Sequence, residues 1–240
     1  MGADSASPRH GETDASGAEV LGNIVWHALT RDQAAFASGD GAARRFAIGF
    51  SPLLGFADPH NPDFDAIAPR CAAGERFYCL HWQGPSPPGW HIEDDGRICL
   101  LVCDEPGGNC HDPELEPLTA VHVPQAMALA ERTRPGPFGP RTIELGEYVG
   151  IFDAGRLVAM AGERMRAGRY REISGVCTDP AFRGKGLARR LVAHLQARQR
   201  ARGEVSFLHV MRDNAGARRL YAALGYRVHL ETQVRVVVRR

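Results

Sequence analysis

The sequence predicts an α/β protein, with an α+β mixed sheet in a larger C-terminal domain preceded by a smaller α/β lobe, and three observations carry that prediction. Strand-like runs at 147–152 and 156–165 are joined by the short turn Asp153-Ala154-Gly155, which implies antiparallel pairing. A strand, helix, strand succession after Arg171 implies a parallel crossover, so the sheet is mixed. Between the halves, residues 104–113 (DEPGGNCHDP) combine turn residues with charge, as a linker does.

Taken in order, residues 1–19 are rich in Gly, Ala, Ser and Asp and carry too little apolar surface to offset the entropy of ordering, so a disordered tail is expected. Residues 20–105 form the expected first lobe, with helices near 25–37 and 64–73 and strands at 76–82 and 97–103. The stretch 84–90 (GPSPPGW) reads as a loop, because proline removes ladder donors. A linker at 106–116 follows. The second domain, 117–240, reads as a helix at 124–132, strands at 147–152, 156–165 and 171–177, a helix at 186–202, a strand at 205–211, a helix at 215–224 and a last strand at 226–238. That last strand is a candidate sheet edge able to pair with another chain, with Arg235, Arg239 and Arg240 discouraging uncontrolled pairing; a monomer or homodimer is expected.

Composition narrows the class. The chain has 240 residues, 44% of them hydrophobic, enough for a real core. No apolar run reaches the roughly 18 residues of a membrane span, and the first thirty residues are polar and acidic, so a cytoplasmic protein with no membrane partner is expected. Six cysteines without a signal peptide read as reduced thiols. Cys99, Cys103, Cys110 and His111 could be imagined around a metal, but Cys99 and Cys103 sit in an apolar strand-like run, and no metal is expected. The net charge of +1 conceals a division: residues 164–240 hold 18 Lys and Arg against 5 Asp and Glu, whereas residues 1–163 hold 11 against 23. A basic half suits a polyanionic partner, either nucleic acid or the phosphates of a nucleotide cofactor. No groove-reading motif or interleaved aromatics accompany the arginines, which argues against nucleic acid.

The informative segment runs from Ser174 to Ala188 (SGVCTDPAFRGKGLA): a strand, a short connection, a glycine-rich turn and an amphipathic helix with Leu187, Leu191 and Leu195 on one face. Glycine at 184 and 186 lets backbone N–H groups approach a ligand closely, and the helix start favours negative charge. A pyrophosphate fits there. The pattern Arg183-x-x-Gly186-x-Ala188, followed by Asn214, Ala217, Leu220, Tyr221, Leu224, Gly225 and Tyr226 in fixed spacing, resembles the GNAT superfamily of acyl-CoA N-acyltransferases over about residues 115–240.

That resemblance implies the GNAT fold, acetyl-CoA as cosubstrate and a sheet splayed between the strand ending at Thr178 and the strand 205–211. The pantetheine arm would lie against backbone groups of Val176, Cys177 and Thr178, and the pyrophosphate against Arg183, Gly184, Lys185, Gly186, Leu187 and Ala188, with Asn214 also at the cofactor. Glu172 stands at the distance from the turn where proteins similar to glycine N-acyltransferase, which also carry a preceding α/β lobe, place a general base. An alkyl ammonium must lose a proton before it attacks a thioester, so a carboxylate base is chemically sensible. Tyr221 matches the tyrosine that protonates the departing thiolate. Cys177 is a candidate nucleophile only in a rival two-step route.

The expected reaction is transfer of an acetyl or other acyl group to a primary amine of a small molecule or amino acid, directly in a ternary complex. The loop from Arg134 to Arg141 offers Phe138 and Arg141 as a clamp for a carboxylate, and Trp82 and Trp90, flanking the proline-rich loop of the first lobe, are further candidates for the pocket wall. A silent acyl-CoA-binding sensor and a protein N-terminal or lysine acetyltransferase are the alternatives.

Overall fold

The computed structural model describes residues 17–103 and 112–240. Most of the expected tail, much of the expected linker, Cys110 and His111 lie outside these ranges. The described residues form helices α1 (Gly17–Gly22), α2 (Ile24–Thr30), α3 (Phe64–Ile67), α4 (Val123–Thr133), α5 (Leu187–Ala201) and α6 (Ala215–Ala222). The strands are β1 (Ala37–Ser38), β2 (Ala43–Phe46), β3 (Leu53–Phe56), β4 (Arg76–Leu80), β5 (Trp90–Cys103), β6 (Glu116–Pro117), β7 (Tyr148–Asp153), β8 (Arg156–Ala167), β9 (Tyr170–Thr178), β10 (Val205–Met211) and β11 (Arg227–Arg239). α1 begins inside the stretch expected to be disordered, and β6 inside the stretch expected to be linker.

One mixed sheet of eleven strands runs in the order β1-β2-β3-β4-β11-β5-β10-β9-β8-β7-β6. The turn between β7 and β8 places Ala154 and Gly155 at φ 47° and 77°, the doubly left-handed geometry that matches strand twist, and the two strands pair antiparallel as expected. β9 and β10, joined by α5, pair parallel. Two results depart from expectation. β5 is fourteen residues long and lies between β10 and β11, so a strand from the first half completes the sheet of the second. β11 is therefore interior, held by β5 and β4, and is not a sheet edge.

Helices cover both faces. α5 buries Leu187, Leu191, Val192 and Leu195 on one side against Val158, Leu208 and Val210, each such side chain contributing about 1.5–3 kcal/mol. On the other side α2 buries Ile24, Val25, Ala28 and Leu29 against Leu53, Leu100, Met165 and Phe207, and α4 covers Tyr148, Met160 and Cys177. α2 stops at Thr30, short of the expected helix, because the following residues are used otherwise. Gln33, buried, donates from its Nε2 to the carbonyl of Arg164 (2.7 Å) and accepts at its Oε1 from the amide of Arg166 (3.0 Å). It serves as a substitute strand partner where β8 is bulged between Glu163 and Arg166. The second expected helix likewise stops early, and Ala68–Arg70, with Pro69 at its start, tighten into a single 3-10 turn.

Candidate active site

β9 and β10 pair at only three positions, the last being Phe207 with Glu172. Beyond it β9 continues to Thr178 and β10 to Met211 without pairing to each other, so the sheet opens into a wedge. A cavity of about 1040 Å³ passes through this gap, lined by Ser174, Val176, Cys177 and Thr178 on β9 and by His209, Val210 and Met211 on β10. The hydroxyl of Thr178 is buried there without a hydrogen-bond partner among the described residues. A buried polar atom without a partner costs free energy that a bound ligand can recover.

The turn at the end of the wedge is built for an anion. Asp179 accepts from the amide of Ala181 (3.0 Å) and pairs with Arg132 and Arg156 at 3.3 and 3.2 Å, fixing the connection out of β9. Gly184 and Gly186 then adopt φ of 79° and 76°, a conformation glycine enters without strain, and a Cβ at either would meet nothing within 4 Å. α5 starts immediately after, with its first amides unpaired and no side-chain cap. Arg183, Gly184, Gly186, Leu187, Ala188 and Arg189 line the cavity, and neither Arg183 nor Arg189 makes an ion pair among the described residues. The residues present therefore fit a pyrophosphate at the turn and a polar, extended chain in the wedge.

At the inner end of the wedge, Glu172 is fully buried and gripped by Arg164, whose Nε and Nη2 donate to its two oxygens at 2.8 and 2.7 Å. His209 Nδ1 lies 2.8 Å from Glu172 Oε1. Burial alone would raise the Glu172 pKa, but Arg164 and His209 outweigh it and hold the carboxyl down at about 2. An ionised carboxylate only accepts, so His209 Nδ1 donates to it, and the ring's other nitrogen, Nε2, is not used in that bond. His209 lines the cavity; Glu172 does not. The carboxylate expected to act as base is thus held ionised by Arg164 and set back from the cavity, and the side chain that it positions at the cavity wall is His209. Tyr221, on α6, also lines the cavity, and burial pushes its hydroxyl up to about 12, so it is a neutral donor near pH 7.

Of the other expected residues, Asn214 lines the cavity and also caps α6, accepting from the amide of Ala217 (3.1 Å). Lys185 does not line it: its Nζ lies over the ring of Phe182, 4.6 Å from the centroid. Cys177 does line it, but burial pushes its thiol up to about 11, the opposite of what a thiolate nucleophile needs. Phe138 packs edge-on against Tyr148, and Arg141 pairs with Glu144 and lies over Phe50; neither reaches the cavity. Trp82 and Trp90 are core residues around Phe64. Among the described residues, no cluster of His, Cys, Asp or Glu could hold a metal, and no helix is long and apolar enough to cross a membrane. Sequence reasoning missed Arg164, Arg189 and His209. Only the register of β9 against β10 brings His209 to Glu172.

Residues 148–236 match the model of the FR47-like protein family. Over 83 residues the chain is 40% identical to the N-alpha-acetyltransferase RimI of Mycobacterium tuberculosis, of which it covers 51%, so it spans about half of that curated relative. A GCN5-related N-acetyltransferase from Kribbella flavida superposes with a TM-score of 0.54 over 93% of this chain and 95% of the other, at 17% identity, a likeness of fold alone. A crystal structure described as an acetyltransferase from the GNAT family, from Novosphingobium aromaticivorans, superposes with a TM-score of 0.84 at 32% identity, over 92% of this chain and 98% of the other. With that identity running across nearly the whole of both chains, this chain belongs to the GNAT family of acetyltransferases, whose members use acetyl-CoA as cosubstrate.

Proposed function

We propose that the protein transfers the acetyl group of acetyl-CoA directly to a primary amine of a small molecule, with His209 as base and Tyr221 as acid. The observation that carries this reading is the single cavity joining the anion-binding turn, through the wedge, to His209 and Tyr221. The pyrophosphate would rest on the amides of 184–188 with Arg183 and Arg189 beside it, and the pantetheine arm would follow the unpaired edge of β9 past Val176, Cys177 and Thr178, where the Thr178 hydroxyl gains a partner. The amine nitrogen gives a proton to His209 Nε2 and forms the C–N bond. The C–S bond then breaks and the thiolate takes a proton from Tyr221. Negative charge on the thioester oxygen is met by an N–H of the open β9 edge. Glu172 acts through His209, orienting the ring and stabilising its positive charge, as a positioning residue.

The finer likeness to proteins similar to glycine N-acyltransferase is supported by the α/β segment before the catalytic half and by the place of Glu172 on β9. Calorimetric titration of acetyl-CoA into the wild type and Arg183→Glu tests the cofactor site. The charge reversal should weaken binding about tenfold or more, a change of about 1.4 kcal/mol. Absence of acetyl-CoA binding by the wild type would remove the basis of the proposal.

A further inference from the structure

The cavity does not end at His209. It continues across the sheet over Ile98 and Gly96 of β5, Val234 and Val236 of β11 and Tyr78 and Leu80 of β4, with Leu53 and Met165 also on its walls. The register sets these side chains in rows: Gly96, Val234 and Leu80 stand abreast on three adjacent strands, and so do Asp94, Val236 and Tyr78. His209 stands opposite Leu100, four residues along β5 from Gly96, so the groove runs roughly 13 Å past the base. Gly96 keeps it open, because a side chain there would project toward the end of Met211.

We propose that this groove is the acceptor site and that it takes a primary amine on an elongated apolar body without a carboxylate, an alkyl or arylalkyl amine. The inference rests on the transfer reading above and narrows its acceptor. The floor supplied by β4, β11 and β5 carries no cation that could grip a carboxylate, and Arg164, beside His209, is already neutralised by Glu172; the other cations on the cavity wall are Arg183 and Arg189 at the anion-binding turn and Arg134 at the end of α4, off that floor. The one charge on that floor is Asp94, exposed at the outer end and without an ion-pair partner among the described residues. It repels an acid and attracts the ammonium form of an arriving amine. Each methylene buried along the groove is worth about 0.8 kcal/mol, so affinity should climb with chain length. An amino acid or a peptide terminus offers polar backbone next to the amine, where the groove offers Ile98 and Met165.

The test compares butylamine, octylamine, 8-aminooctanoate, glycine, leucine and a short unblocked peptide as acceptors at saturating acetyl-CoA, with acetyl-CoA affinity measured separately by calorimetry. Octylamine should exceed butylamine in kcat/KM by about tenfold or more, and exceed 8-aminooctanoate, which matches its length, by a similar factor. Gly96→Leu should erase the gain with length while leaving acetyl-CoA affinity unchanged, and Asp94→Lys should narrow or reverse the preference against 8-aminooctanoate. Acetyl-CoA binding together with preference for glycine, leucine or the peptide, or with no dependence on chain length, overturns the groove assignment alone. Failure to bind acetyl-CoA, or binding with no amine acetylated, overturns the transfer reading and this inference with it.

Discussion

Glu172→Gln is the substitution whose consequences the structure specifies most fully. It removes the negative member of a buried pair and leaves the guanidinium of Arg164, whose side chain is 7% exposed, without its counter-charge. Breaking such a pair from one side costs about 3–5 kcal/mol. Proton linkage at the same pair gives a figure of that order. The carboxyl is held at about 2 in the folded chain against 4.5 for an ordinary glutamate, and at about 1.4 kcal/mol per pH unit the ionised form stabilises the fold by roughly 3 kcal/mol. The sign follows from the depressed folded-state value: the contribution is fully present above pH 4.5 and is lost as the pH falls through 4.5 toward 2. Thermal unfolding at pH 7 should therefore show the variant melting roughly 6–12 °C below the wild type, at about 2–4 °C per kcal/mol for a chain of this size. The gap should close as the pH drops through that window, since a protonated glutamate resembles glutamine. A difference below about 2 °C at pH 7, or a gap that stays constant from pH 5 to pH 3, would show that the Arg164–Glu172 pair does not stabilise the fold.

Tyr221→Phe removes the hydroxyl but keeps the ring that packs against Tyr226, so kcat should fall about tenfold to hundredfold while acetyl-CoA affinity holds; steady-state kinetics with calorimetry separates the two. Gly186→Val places a β-branched residue at φ 76°, and acetyl-CoA titration should show binding lost along with a loss of thermal stability. Residues 112–240 expressed alone lack β5, leaving β10 and β11 without the strand between them; circular dichroism should show no cooperative melt unless residues 17–103 are supplied in the same cell.

The catalytic half was legible in the sequence because its signals are local. The strand at 205–211 and the start of α5 follow from periodicity and glycine placement within a few residues, and the glycines at 184 and 186 announce the anion site by themselves. What escaped depends on partners far away in sequence. The first half of β5 reads as a polar loop because His91, Glu93, Asp94, Asp95 and Arg97 face solvent or the groove, and only pairing with β11 makes it a strand. The same pairing moves β11 from the expected sheet edge into the interior. The short strands β2 and β3 lie between turns and carry no clear alternation. Glu172 stands out in the sequence, but its setting depends on Arg164, brought inward where β8 bulges, and on His209, an ordinary histidine in an apolar run until β9 and β10 are laid side by side. Phe138, Arg141, Trp82 and Trp90 failed as pocket residues because each found a nearer partner in the packing.

His209, held by Glu172, is the proposed base at the cavity wall. That role is checked by the single-turnover rate of acetyl transfer by His209→Gln at saturating acetyl-CoA, with octylamine as acceptor. The rate should fall by about 10²–10⁴ with acetyl-CoA affinity unchanged; a rate within about threefold of the wild type at equal affinity would mean that another group takes the proton.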